Sequence, residues 1–180
     1  PEPWALANSA ENAGADKITA HLREDRRHVQ EHDLELLRRA VQTPLNLKMS
    51  PSGDMAKVAY ELKPDHVTLV PERQGEVTTE SGLDLTQQRD LVRRHIQGLH
   101  DADIEVAVSV DPDLEQVRAA HRLGATAIEL HTGKYADARD GRGQRAELQR
   151  IADAARAAAK LGLHVAAGHG LNYRNIEALV

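Results

Sequence analysis

Five side chains of this sequence are well suited to moving protons: His21, Lys48, Glu129, His131 and His169. Histidine titrates near neutrality, and carboxylate or amine groups join it when their surroundings tune them. The first four fall in short runs of alternating character. In Lys17–His21, Thr19 and His21 oppose Ile18 and Ala20. In Leu45–Met49, Asn46 and Lys48 oppose Leu45, Leu47 and Met49. In Ala127–His131, Glu129 and His131 oppose Ile128 and Leu130. A strand has a period of two, so the apolar set should meet helices and the polar set should point inward. Charged groups inside a barrel are costly unless paired or used, which makes these four site candidates.

Three segments extend the set. His21-Leu22-Arg23-Glu24-Asp25-Arg26-Arg27-His28 directly follows a strand and is rich in groups that grip phosphate, Arg bidentately. Its bland alternative is a solvated loop with internal Arg–carboxylate pairs. Gly168-His169-Gly170 closes the last strand-like run, and flanking glycines let backbone approach a ligand and leave the imidazole accessible. The alternative is an ordinary turn. Val70 to Gly82 forms a long polar loop that contains Thr78, and loops of this length are often lids.

The elements that must position these residues alternate regularly. Strands are expected at Lys17–His21, Leu45–Met49, His66–Val70, Glu105–Val110, Ala127–His131 and His164–Ala167. Amphipathic helices are expected at about Trp4–Ala13, Glu31–Val41, Asp54–Leu62, Leu85–Asp101, Asp113–Leu123 and Gln144–Leu161, with Trp4 packing its helix on the barrel. Gly14, Gly124 and Gly162 stand just past three helices, and Pro64 stops a fourth. Repeated βα units imply a parallel sheet. A doubly wound sheet would usually show a Gly-rich phosphate turn after its first strand, and here His21-Leu22-Arg23-Glu24 follows instead. The expected fold is therefore α/β, a TIM-type (β/α)₈ barrel read as incomplete. Six of its eight strands are visible, taken as the second to seventh, within one partial domain over residues 1–180.

Composition narrows the classes. The chain has 180 residues, no cysteine, one Trp, three Tyr and no Phe, so its core must be built from Leu, Val, Ile and Ala. Disulfides, thiolate metal sites and a cysteine nucleophile are excluded. A net charge of −5 argues against a general nucleic-acid surface. No run approaches the roughly 20 apolar residues that span a bilayer. Pro1-Glu2-Pro3-Trp4 shows no signal-peptide pattern, so a cytoplasmic location is expected.

Four blocks together resemble one family. They are His21 to His28; Leu69-Val70-Pro71-Glu72-Arg73 with Glu76-Val77-Thr78-Thr79-Glu80; Glu129-Leu130-His131-Thr132-Gly133 with Tyr135-Ala136-Asp137; and Ala167-Gly168-His169-Gly170-Leu171. In this order along the whole chain they resemble the pyridoxine 5′-phosphate synthases. The resemblance implies a cytoplasmic, homo-octameric TIM-barrel transferase that needs no metal or organic cofactor. Its reaction would condense 1-deoxy-D-xylulose 5-phosphate with 3-amino-2-oxopropyl phosphate into pyridoxine 5′-phosphate, phosphate and water. It implies His21 as proton acceptor, Glu129 as transition-state stabiliser and His169 as general acid. Arg23, His28 and Thr78 would contact the deoxyxylulose phosphate, and Gly170 the aminoketone phosphate.

The sequence departs from that family in three ways. Lys48 stands where the family has a catalytic Glu; it could serve as a base only with a pKa lowered by burial, or it could pair with Glu129 and disarm it. The first strand, with its substrate-contacting Asn, Asp-His pair and Arg, is expected to be missing. So is the eighth, with its Gly-rich phosphate contact. Two rival functions follow. One is a non-catalytic binder of a phosphorylated ligand, motivated by Lys48. The other is a metal-dependent barrel hydrolase built on His21, Glu129, His131 and His169.

Overall fold

Each strand expected from alternation forms, and each pairs with its sequence neighbour. The computed structural model describes residues 2–72 and 79–180. The strands are β1 (Ile18–His21), β2 (Leu45–Met49), β3 (His66–Leu69), β4 (Glu105–Val110), β5 (Ala127–His131) and β6 (His164–Gly168). They form one parallel sheet in the order β1-β2-β3-β4-β5-β6. Between them run α1 (Pro3–Asn12), α2 (Glu31–Ala40), α3 (Gly53–Leu62), α4 (Arg89–His100), α5 (Leu114–Leu123), α6 (Gly133–Asp137) and α7 (Gly141–Lys160).

Alternation decides the two faces of the sheet. Leu45, Leu47, Met49, Val67, Leu69, Val106, Val108, Ile128 and Leu130 are essentially inaccessible and join the core with Leu34, Met55, Ile96, Val117 and Ala158 of the helices. The other face carries Thr19, Asn46, Thr68 and Glu129 around an interior cavity of ≈ 180 Å³. Asn46 bridges its neighbours there, donating to Thr19 Oγ1 at 3.3 Å and accepting from Thr68 Oγ1 at 3.0 Å. The sheet is curled. Lys48 on β2 and Glu129 on β5 lie three strand spacings apart, about 14 Å in a flat sheet, yet Lys48 Nζ donates to Glu129 Oε1 at 2.6 Å. Two extended side chains reach each other only because curling shortens the chord. The result is a parallel half-barrel of the TIM type.

Helix boundaries follow their caps. Asp113 and Asp140 accept backbone N–H groups at the starts of α5 and α7, as N-cap carboxylates do. The Asp140 cap starts α7 at Gly141, ahead of the Gln144 start expected from apolar spacing. The Asp84 carboxylate instead accepts from the Thr86 and Gln87 N–H groups. That local turn delays α4 to Arg89, past the expected Leu85. Gly124 takes the left-handed φ of +89° that closes α5, the role expected of it. The short helix α6 has too few residues to show a period and was not expected. The last element is a single 3₁₀ turn, Glu177–Leu179. Trp4 is a correction: it is 37% exposed, and the buried residue of α1 is Ala7.

Candidate active site

The carboxyl ends of the strands carry the functional groups. His21 ends β1, and β2 places Lys48 beside it, since the two are register partners. Glu129 faces inward from β5, His131 ends β5, and His169 follows β6 directly. His21, Lys48, Glu129 and His169 are thus gathered at one mouth.

Each group has a defined partner. His21 Nε2 lies 3.2 Å from Glu72 Oε1, and the same carboxylate accepts the Glu24 N–H at 2.9 Å. Burial pushes the Glu72 carboxyl up, but the hydrogen bonds from His21 and Glu24 and the charges of His21 and Arg23 outweigh it, leaving it below the ordinary value. Glu72 was not singled out from sequence, because its loop shows no period that aims a side chain. Lys48 and Glu129 form the ion pair across the lumen, with side chains 23% and 14% exposed.

His169 is held in an unusual conformation. Its φ is +91°, a region that costs a non-glycine residue about 1–3 kcal/mol. Thr132, fully buried, holds the strained segment: its hydroxyl lies 2.8 Å from the Gly168 carbonyl and 2.6 Å from the His169 carbonyl. Gly170 follows at φ +73°, and a Cβ there would meet the Ala136 Cβ at 2.6 Å. The His169 ring stacks on His131, with centroids 4.4 Å apart and planes 25° from parallel. Its proton affinity lies below the ordinary histidine value, first through burial and then through His131 and Lys48, against the opposing charges of Asp137 and Glu129.

The binding candidates are less uniform. Arg23 is 4% exposed and donates to both oxygens of Asp25, through Nε at 3.1 Å and Nη2 at 3.2 Å. Hydrogen bonding from Arg23 leads in holding the Asp25 carboxyl at about 2, with Arg27 adding to it. Arg26 pairs with Glu31 and Arg27 with Asp25. The alternative of internal Arg–carboxylate pairs therefore holds for much of this loop, Arg23 included, although Arg23 is buried where Arg26 and Arg27 are not. His28 is exposed and lines an apolar groove between α1 and β1 that also reaches His21. Thr78 lies outside the described residues. The flanks of its loop are anchored, Glu72 to His21 and Thr79 to His131, whose Nε2 lies 3.0 Å from the Thr79 carbonyl. Farther along, Gly82 N–H donates to Asp111 at 2.8 Å and Leu83 N–H to the Ser109 carbonyl at 2.7 Å.

A metal centre on His21, Glu129, His131 and His169 does not fit. Among the described residues no group of three or more His, Asp or Glu side chains is arranged to hold a metal ion. Glu129 is taken by Lys48, and both ring nitrogens of His131 by Thr79 and Gly133. No helix of the described residues is long and apolar enough to cross a membrane.

A parallel half-barrel with acid–base side chains at its strand ends is the arrangement of a TIM-type enzyme domain. Solved structures of mandelate oxidase share the fold, at TM-scores of 0.61 to 0.63 and 17–18% identity, over 90% of this chain and 55–56% of theirs. At that identity the likeness concerns the fold alone. The chain belongs to the family described as pyridoxal phosphate biosynthesis protein PdxJ, whose profile matches residues 1–180. Pyridoxine 5′-phosphate synthase of Syntrophotalea carbinolica is 51% identical over 177 residues, covering 98% of this chain and 74% of the relative. The enzyme of the same name from Aquifex pyrophilus is 46% identical over 182 residues, covering 77% of its length.

Proposed function

We propose that this chain is a pyridoxine 5′-phosphate synthase. It condenses 1-deoxy-D-xylulose 5-phosphate with 3-amino-2-oxopropyl phosphate and releases phosphate and water. The observation that supports this best is the meeting of His21, Glu129 and His169 at one mouth in a chain 51% identical to a synthase of that name. Ring closure needs an imine, several proton transfers and the loss of phosphate and water. Positioned acids and bases on a bound intermediate serve those steps. His21, oriented by Glu72, is the proton acceptor. His169 is the general acid, and its lowered proton affinity makes the protonated ring a stronger acid. Glu129 stabilises charge in the transition state. Arg23, pre-set by Asp25, together with His28 and Thr78 contacts the deoxyxylulose phosphate, and the Gly170 backbone contacts the second phosphate. The reaction draws on no metal or organic cofactor.

In the same reading the six strands are the second to seventh of an eight-strand barrel in one domain over residues 1–180. The protein works in the cytoplasm as a homo-octamer, with no nucleic-acid or membrane partner. The test is an assay of the purified 180-residue chain with both substrates, following pyridoxine 5′-phosphate. Product formation is expected at a low rate, and none at any pH would defeat the proposal.

One observation favours a second reading, a non-catalytic binder of phosphorylated ligand: the Lys48–Glu129 pair occupies the carboxylate needed for chemistry. The Lys48→Glu variant separates the two. As an enzyme the chain gains turnover, by about 10²-fold for a restored acid–base group. As a binder it stays inactive while still holding 1-deoxy-D-xylulose 5-phosphate.

A further inference from the structure

His131 lies beside the proposed acid but has no part in the chemistry described so far. Both of its ring nitrogens are committed. Gly133 N–H donates to Nδ1 at 3.3 Å, so Nδ1 must present its lone pair. Nε2, 3.0 Å from the Thr79 carbonyl, must then carry the hydrogen and donate it. The bonds fix both the tautomer and the tilt of the ring, which is only 4% exposed. His169 lies on this fixed plate at 4.4 Å. The stack leaves no spare room, since a Cβ on Gly133 would come within 2.7 Å of His131 Cε1 and 3.2 Å of His169 Cδ2. The glycine therefore supplies both the hydrogen bond and the space that the paired rings need.

We propose that His131 is a positioning residue for His169: fixed by the Thr79 carbonyl and the Gly133 amide, it sets the orientation of the His169 ring and how readily that ring gives up its proton. A charge on one stacked ring opposes a proton on the other, and His131 is among the causes that hold the proton affinity of His169 low. The other charges around the pair are Lys48 from β2, Glu129 from β5 and Asp137 from α6 near His169, and Asp111 after β4 near His131. Among the described residues only His131 is in ring contact with His169. Residue 79 is thereby linked to the acid through two contacts, carbonyl to imidazole and imidazole to imidazole.

The proposal rests on reading His169 as the general acid, and its test is chosen to be read without turnover. NMR of the ¹⁵N-histidine-labelled chain should find the hydrogen of neutral His131 on Nε2; a hydrogen on Nδ1 overturns the proposal. His131→Phe keeps an aromatic ring in the stack but removes the ring nitrogens. The titration midpoint of His169 should move upward in that variant, and an unchanged or lowered midpoint also overturns the proposal. If the wild-type chain turns over, the alkaline limb of its kcat profile should move upward in the variant, and kcat should fall by about 10- to 100-fold with KM nearly constant. A variant that fails to fold leaves the wild-type tautomer to decide. An inactive wild type with the expected NMR behaviour would count against the proposed synthase and not against His131.

Discussion

At the scale of single residues, the site is a set of pre-formed pairs, and each pair predicts its own response to change. His169→Gln should lower kcat by about 10²- to 10⁴-fold, the usual worth of a positioned acid, with KM much less affected. Steady-state kinetics with both substrates checks it. Glu72→Gln tests the support behind His21. The carboxylate accepts from His21 and from the Glu24 N–H with a side chain 9% exposed, so the change should cost about 1–3 kcal/mol at neutral pH. The sign of its pH dependence follows from the direction of the shift. The folded-state pKa of Glu72 lies below the ordinary value of 4.5, so the wild type holds its advantage above pH 4.5 and loses it as pH falls through the lower folded value. Urea melts of both proteins between pH 7 and 3 should therefore converge at the acid end. A gap that widens on acidification would contradict the assignment of Glu72 as an ionised partner. Lys48 shows how far a residue can be understood before a structure is available. Its inward aim was legible from alternation, and pairing with Glu129 was one of the two roles expected of it, although the contact itself forms only because the sheet curls.

At the scale of elements, what was legible depended on period and on caps. All six strands and the six longer helices have enough residues to show alternation or a helical repeat, and each formed within a few residues of its expected bounds. The exceptions have local causes: the Asp84 turn delays α4, and α6 is too short for any period to show. Most of the candidate site was legible for the same reason, since strand ends aim their side chains by parity. Glu72, Thr79 and Thr132 escaped because loop residues have no parity, and only the folded chain brings residue 72 to residue 21 and residue 79 to residue 131. The loop after β3 also makes a prediction. Gly82 lies so close to β4 that a Cβ would fall 2.3 Å from the backbone of Val110 and Asp111. Neither strand nor loop can yield to it cheaply. Gly82→Ala should lower stability by about 1–3 kcal/mol, and it should also lower activity by detaching the flank that carries Thr79. Thermal melts and kinetics on one preparation check both. A stable but inactive variant would mean that the loop serves chemistry more than folding, and an active variant of normal stability would mean that Gly82 does not anchor the loop.

At the scale of the whole molecule, the half-barrel leaves a sheet with two ends. β1 pairs only with β2 and β6 only with β5, so each presents a row of backbone groups with no strand beside it among the described residues. The two ends are guarded unequally. β1 lies beneath α1 and the groove that holds Leu37 and Val29, and it contributes buried Ile18 and Ala20 to the core. β6 is exposed along His164 to Ala167, and Val165 is 41% exposed. An uncovered strand with an apolar exposed side chain is a template for pairing with another chain. The 180-residue chain on its own should therefore self-associate, and through β6 in preference to β1. Sedimentation velocity across a concentration series should show the mean mass rising. Val165→Lys places a charge on that strand and should shift the series back toward monomer, whereas Leu6→Lys on the exposed face of α1 should leave it unchanged. If Leu6→Lys dissolves the association and Val165→Lys does not, contact runs through the helix beside β1, and the exposed strand is not what joins the copies.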